Sequence, residues 1–209
     1  MPRVSGGSIS AHRAEQTRRL FHAFRDLLYE RGYDAISLAD IAEAAGIART
    51  AMYGYFADKE SLLAAYTAME TEEFLATLDA ELRAIDSPVD QLRAFVRLQV
   101  EYFRDSHLPP GPTLRLLLPE AAATEIIGHI AELESRLHQI LRVGREARFF
   151  IVDDIDASTS MITACVSRGA AADPGRSTAE SVAATLDFIM RALGVRFDAE
   201  GNARQLPRR

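Results

Sequence analysis

The chain has 209 residues, 48% of them hydrophobic, with a formal net charge of −6. That is enough apolar material for a packed core in one or two domains. No apolar run reaches the roughly 18–20 residues of a membrane span, and the leading segment lacks the apolar stretch of a secretory signal. The lone Cys165 excludes an intramolecular disulfide and any cysteine-based metal spacing. The expected setting is the cytoplasm.

The charge is unevenly spread. Residues 1–60 carry eight basic and eight acidic residues, so the whole negative balance falls on the rest. The net sign argues mildly against nucleic acid, but the first sixty residues are exempt from that argument. Lys59 is the only lysine among 24 basic residues.

In chain order, residues 1–9 read as a flexible tail around Gly6 and Gly7. Arg3 and Arg13 lie within reach of whatever the first domain binds, although a solvated tail is the simpler reading. A helix is expected from about Ser10 to Arg31, with Leu20, Phe24, Leu27 and Leu28 as its buried stripe and Gly32 ending it. Ser37 stands where an N-cap hydroxyl bonds an orphan N–H. Leu38, Ile41, Ala42 and Ala45 follow at helical spacing. Gly46 supplies a left-handed helix end, and Ile47 plugs the angle before a second short helix, from Arg49 through Met52 and Tyr53 to Phe56. Two short helices joined by a glycine turn form a helix-turn-helix, whose second helix fits a DNA major groove. The expected core of this domain, residues 10–57, is Phe24, Leu28, Ile41, Ile47, Met52 and Phe56.

Asp58 caps the next helix, Lys59 to about Ala84. Pro88 opens another, to about Ser106, and the segment from His107 to Pro112 breaks the chain. A helical turn from Leu114 to Leu118 precedes a long helix ending near Arg145. Arg148 to Val152 is strand-like in composition but reads as an apolar linker. Asp153 and Asp154 open a helix running to about Ala171. Ser177 or Thr178 caps the last helix, which ends near Gly194, and residues 196–209 read as a flexible tail. The expected fold is all-α, about nine helices: an N-terminal three-helix helix-turn-helix domain and a helical body over residues 58–195.

The stretch from Leu20 to Leu63 resembles the N-terminal domain of the TetR family of bacterial transcriptional repressors. The matching residues are Phe24, Leu28, Arg31-Gly32-Tyr33-Asp34, Ser37, Asp40-Ile41-Ala42, Ala45-Gly46-Ile47, Tyr53, Tyr55-Phe56, Lys59-Glu60 and Leu62-Leu63. The resemblance implies a C-terminal body that binds ligand and dimerises. It also implies phosphate roles for Ser37, Tyr53 and Lys59, and base or phosphate roles around Arg49, Thr50 and Tyr55. The residue chemistry agrees. Arg49 opens the second helix and can pair with guanine, Thr50 can meet a thymine methyl, and the tyrosine hydroxyls can reach phosphates. Tyr53 also has a packing role to fill, and Ser37 is a cap first. Two residues depart from the family pattern. Ala48 replaces a frequent serine cap, and Gly54 replaces a larger residue.

In the body, Met69, Phe74, Phe95, Gln99, Tyr102, Phe103, His129 and Met161 mix large apolar and polar groups suited to a pocket for a small-molecule effector; each is also an ordinary core candidate. In the last two helices, Ile162, Cys165, Val166, Val182, Leu186, Ile189 and Met190 are the dimer-interface candidates that the resemblance suggests, with closure of the protomer's own core as the plainer reading. Dimerisation has its own motive, since one helix-turn-helix covers too few bases. No nucleophile elbow, phosphate loop or dinucleotide fingerprint is present, and the five histidines have no ligand spacing. The sequence therefore reads as a homodimeric repressor of a palindromic double-stranded operator, released by a small-molecule inducer. It is expected in the bacterial cytoplasm, at the nucleoid when bound to DNA, with no catalytic residues, metal, cofactor or membrane partner. The alternatives are an activator of the same type, or a helical ligand-binding or adaptor module without DNA binding.

Overall fold

The computed structural model describes residues 6–105, 114, 116–171 and 175–207. Its helices are α1 (Gly6–Arg31), α2 (Leu38–Ala44), α3 (Arg49–Met52), α4 (Lys59–Arg83), α5 (Pro88–Asp105), α6 (Glu120–Glu146), α7 (Ile155–Ala170) and α8 (Thr178–Ala192), with a 3₁₀ turn at Tyr33–Ala35. The proline-rich break from His107 to Pro112 lies outside the described residues.

The chain forms two compact units, one from residues 1–69 with 107–124 and the other from 70–106 with 125–209. The division falls inside α4, not ahead of it at residue 58. The reason is packing. Leu62 and Leu63 are fully buried and Tyr66 is 1% exposed, and Tyr66 meets Phe24 edge-on at 5.2 Å and Phe21 at 5.7 Å. The first two turns of α4 thus complete the first core, together with Leu20, Phe24, Leu28, Ile41 and Met52. Burying such a side chain is worth about 1.5–3 kcal/mol. Ile47 and Phe56, expected in this core, are only half-buried.

The second unit has its own core, which includes Leu78, Leu92, Phe95, Val96, Leu137, Leu141, Val166 and Ile189. Ion pairs between its helices include Arg97 of α5 with Glu81 of α4, and Arg136 of α6 with Asp79 of α4, the latter at 2.5 Å. Gly169 of α7 lies against Thr185 of α8 so closely that a β-carbon there would stand 2.1 Å from the Thr185 Oγ1.

The helix starts follow local chemistry. Asp58 Oδ1 accepts from the Ser61 N–H at 2.7 Å, and Asp154 Oδ1 accepts from the Ala157 N–H at 2.9 Å. Ser177 and Glu180 form a reciprocal capping box on α8. The linker stays irregular, with Phe150 and Val152 buried and the Ile151 N–H donating to the Leu193 carbonyl at 2.8 Å.

Three further expectations are corrected. Helix α1 begins at Gly6 rather than Ser10. Helix α3 ends at Met52 rather than Phe56. The stretch after residue 195 is not a featureless tail. Arg196–Phe197 and Ala203–Arg204 pair as an antiparallel ribbon in register Arg196↔Arg204. It is held to the body by Arg93, whose guanidinium lies 5.0 Å from the Phe197 ring centre, and by the Leu206 N–H donating to the Arg148 carbonyl at 2.7 Å.

Candidate nucleic-acid interface

Helix α2 begins with a complete capping box. The Asp40 N–H donates to Ser37 Oγ at 3.3 Å, while Asp40 Oδ2 accepts from the Ser37 N–H at 2.8 Å and from its hydroxyl at 2.6 Å. These bonds hold the Asp40 carboxyl below the usual carboxylate range. At the other end Gly46, at φ +66°, sends its N–H to the Glu43 carbonyl, and Ile47 sends its own to Ala42 at 2.8 Å. That is the Schellman pattern, and it needs a residue without a β-carbon at position 46.

Helix α3 starts without such support. Ala48 occupies the N-cap in extended conformation, and no side-chain bond caps the helix. Met52 is fully buried and pins the helix to the domain core. Arg49 and Thr50 are exposed, and Tyr53 is 57% exposed. After one turn the chain continues through Gly54 and Tyr55, whose N–H groups donate to Ala51 and Met52 carbonyls at 2.9 Å each. A β-carbon at Gly54 would lie 3.2 Å from the Ala51 carbonyl oxygen.

Three cations from other elements satisfy carbonyls at the ends of these short helices. Arg19 Nη2 donates to the Ala45 carbonyl at 2.7 Å, closing α2. Arg13 Nη2 donates to the Gly54 carbonyl at 3.1 Å, with its guanidinium carbon 5.2 Å from the Tyr55 ring centre. Lys59 Nζ donates to the Tyr33 and Ile36 carbonyls at 3.0 Å each and lies 4.1 Å from the Tyr33 ring centre. Burial, then the carboxylates of Glu60, Asp34 and Asp58, push the Tyr33 phenol up to about 12. The face of its ring receives the ammonium as a cation–π contact.

The six residues expected at DNA thus divide. Arg49, Thr50 and Tyr53 point to solvent. Tyr55 is half-buried beneath Arg13. Ser37 donates its hydroxyl proton to Asp40, and Lys59 spends two of its three hydrogens inside the domain. Sequence reasoning did not find the roles of Arg13 and Arg19. Each lies on the polar side of α1, and nothing local distinguishes it from any other surface arginine.

In the second unit Phe74 stacks on Tyr102, with centroids 4.4 Å apart and planes at 25°, and Phe103 meets Tyr102 at 5.5 Å. Burial pushes the Tyr102 phenol up to about 12. Phe95 and Gln99 are buried on the same helix. His129 is half-buried, and its Nδ1 has no hydrogen-bond partner among the described residues. Phe103 and Met161 are 46% and 69% exposed, so neither lines the interior. Met69 falls in the first unit.

The expected interface residues are also redistributed. Ile162, Val166, Val182, Ile189 and Met190 are buried in the protomer's own core, with Leu186 and Cys165 packed against it. The open side of α7 and α8 instead carries Met161 and Phe188, 69% and 62% exposed, beside Ala164 and Ala184. On it lies a cleft of about 440 Å³ lined by residues including Cys165, Arg168, Thr185 and Phe188. Among the described residues no group of acidic, histidine or cysteine side chains could hold a metal ion, and no helix is long and apolar enough to cross a membrane.

Residues 20–66 match the family described as bacterial regulatory proteins of the tetR family. The chain is 26% identical over 184 residues to the transcriptional repressor KstR of Mycolicibacterium smegmatis, covering 86% of this chain and 87% of KstR. It is 31% identical over 117 residues to the transcriptional regulator AlkX of Mycobacterium tuberculosis, covering 56% of this chain and spanning 47%, about half, of AlkX. Its fold is similar to that of a tetR-family regulatory protein from Rhodococcus, at TM-score 0.71, 20% identity and coverage of 85% and 96% of the two chains. It is also similar to a TetR/AcrR-family regulator from Thermobifida fusca, at TM-score 0.72, 21% identity and coverage of 84% and 97%.

Proposed function

We propose that this chain, a DNA-binding transcriptional regulator of the TetR family, acts as a homodimeric repressor that a small molecule releases from a palindromic operator. One observation carries the DNA-reading part. Arg49, Thr50 and Tyr53 stand outward on a helix whose opposite face is anchored by the fully buried Met52. Arg49 supplies base readout and Thr50 base or phosphate contact; Tyr53 and Tyr55 offer phosphate contacts. Lys59 contributes through its remaining hydrogen and its charge. Ser37 acts chiefly as the α2 cap, since phosphate contact through its hydroxyl would have to displace Asp40.

The dimer forms through the open side of α7 and α8, centred on Met161, Ala164, Ala184 and Phe188. A pair of recognition helices then meets two half-sites about one helical turn apart. The effector binds in the second unit near Phe74, Phe95, Gln99, Tyr102 and His129. To move the dimer from mostly operator-competent to mostly incompetent, it must prefer the second state by about 5.5 kcal/mol. The working place is the bacterial cytoplasm, with the DNA.

Selecting bound duplexes from a random pool, with and without candidate effectors, tests this reading. A palindromic consensus that is lost on adding one effector is expected. Failure to enrich any duplex above random DNA at moderate salt sinks the DNA-reading claim, and an asymmetric single half-site sinks the dimer. Deleting the gene should raise expression from the promoter that carries the consensus; a fall would make the protein an activator.

A further inference from the structure

We infer that Arg13 is a positioning residue for DNA recognition: from α1 it clamps the segment that follows the recognition helix and fixes Tyr55, and through the backbone Tyr53, in the pose that meets DNA. The inference rests on the DNA-reading proposal and concerns how that site is held.

The recognition helix has only four residues, Arg49–Met52, and no side-chain cap at its start. The next three residues carry two of the expected phosphate contacts, Tyr53 and Tyr55, on either side of Gly54. Glycine contributes no side chain to restrain that turn and is the most conformationally free residue. The N–H groups of Gly54 and Tyr55 are held by the Ala51 and Met52 carbonyls; the Gly54 carbonyl and the Tyr55 ring are held from outside. One nitrogen of the Arg13 guanidinium donates to the Gly54 carbonyl at 3.1 Å, and its carbon stands 5.2 Å from the Tyr55 ring centre. The planar fork thus holds the backbone of one residue and the ring of the next. Lys59 shows that an ammonium can bond carbonyls beside a ring. The Arg13 contact, however, uses two separate guanidinium atoms, Nη2 at the Gly54 carbonyl and the carbon near the Tyr55 ring, which a single ammonium nitrogen does not reproduce.

The clamp is anchored at its root. Arg13 lies two helical turns before Leu20, and Leu20 and Phe24 are fully buried. Helix α1 is continuous from Gly6 to Arg31, so an unbroken helix joins the base of Arg13 to the domain core. Arg13 and Tyr53 are exposed, so the clamp closes at the surface, and its loss leaves the apolar core untouched.

A direct phosphate contact by Arg13 is the competing role, and the two differ in measurable ways. Arg13→Ala and Arg13→Lys are compared with the full-length wild type, first as free proteins and then on the duplex that the wild type enriches from a random pool. In the free proteins, amide hydrogen exchange of residues 53–56 should quicken about fivefold in both variants, with the thermal midpoint unchanged. On the enriched duplex both variants should bind about fivefold more weakly, with the salt dependence of binding unaltered. Binding to a random-sequence duplex should weaken as well, because the tyrosines that the clamp holds contact phosphates, which carry no sequence information. Unaltered exchange in both variants overturns the clamp whether or not any duplex is found. So does rescue of operator binding by Arg13→Lys together with a salt slope reduced by about one in Arg13→Ala, the signature of a phosphate contact. If no duplex is enriched while exchange quickens as stated, the DNA reading has failed and the clamp stands. Should Arg13→Ala unfold, Arg13→Lys carries the same comparison.

Discussion

The weakest joint in the recognition helix is its N-cap. Ala48 already has the extended backbone of an N-cap, φ −60° and ψ 134°, but no side-chain atom to use it. Its carbonyl accepts from the Ala51 and Met52 N–H groups at 2.8 and 3.1 Å, which leaves the N–H groups of Arg49 and Thr50 without intrahelical partners. Ala48→Ser places an acceptor oxygen in reach of the latter. A serine cap over alanine is worth typically about 1 kcal/mol. The same chain offers an internal standard, since Ser37 caps α2 through a full box. Position 48 is exposed, so water competes and about 0.5–1 kcal/mol is expected. Because α3 is a single turn, that gain falls on its only turn. If α3 opens locally, hydrogen exchange of residues 49–52 should slow by up to about fivefold. If it opens only with the whole chain, the thermal midpoint should rise by about 1–4 °C. Exchange mass spectrometry and thermal unfolding on Ala48→Ser, with Ala48→Val as a control lacking the oxygen, decide it. Serine and valine variants that behave alike would refute the reasoning.

Other substitutions separate further roles. Arg49→Ala should weaken operator binding by about 1–3 kcal/mol and relax the preference at one base pair per half-site without moving the thermal midpoint; unchanged selection profiles would count against it. Lys59→Met removes the donor to the Tyr33 and Ile36 carbonyls and should lower the thermal midpoint as well as DNA affinity. A purely phosphate-binding lysine would leave the midpoint in place. Gly169→Ala forces a β-carbon to 2.1 Å from the Thr185 Oγ1. It should destabilise by about 1–3 kcal/mol, and Thr185→Ala in the same chain should recover most of the loss in a thermal melt. The Arg136 guanidinium holds the Asp79 carboxyl below its usual range, chiefly through their hydrogen bonds. A carboxyl depressed in the folded state adds stability above its unfolded value near about pH 4, and that stability is lost as pH falls through the lower folded value. Asp79→Asn should therefore melt lower at pH 7 and show a shallower loss below about pH 4; parallel curves would refute it.

Many helix starts, and the turn of the helix-turn-helix, are legible in the sequence because their signals are local. Ser37, Asp58, Asp154 and Ser177 all cap helices where hydroxyl or carboxylate side chains precede apolar periodicity. Gly46 takes the left-handed conformation that its place in the turn demands. Apolar spacing overextends α3, because Tyr53 and Phe56 continue it while Gly54 weakens the helix that would present them.

What the residues determined alone was therefore the helix-turn-helix, most helix starts and the outward set Arg49, Thr50 and Tyr53. These depend on interactions within a few positions of the chain. The tertiary structure decided what depends on distant partners. Arg13 and Arg19 look like any surface arginine until α1 lies against the ends of α3 and α2. Lys59 looks like a free cation until two carbonyls from the 3₁₀ turn meet it. Helices α7 and α8 are apolar around more than half of their circumference, so periodicity could not say which half packs inward. Packing against α5 covers Ile162, Val166, Val182 and Ile189. Met161 and Phe188 are left outside because a helix can turn only one side toward the core it completes.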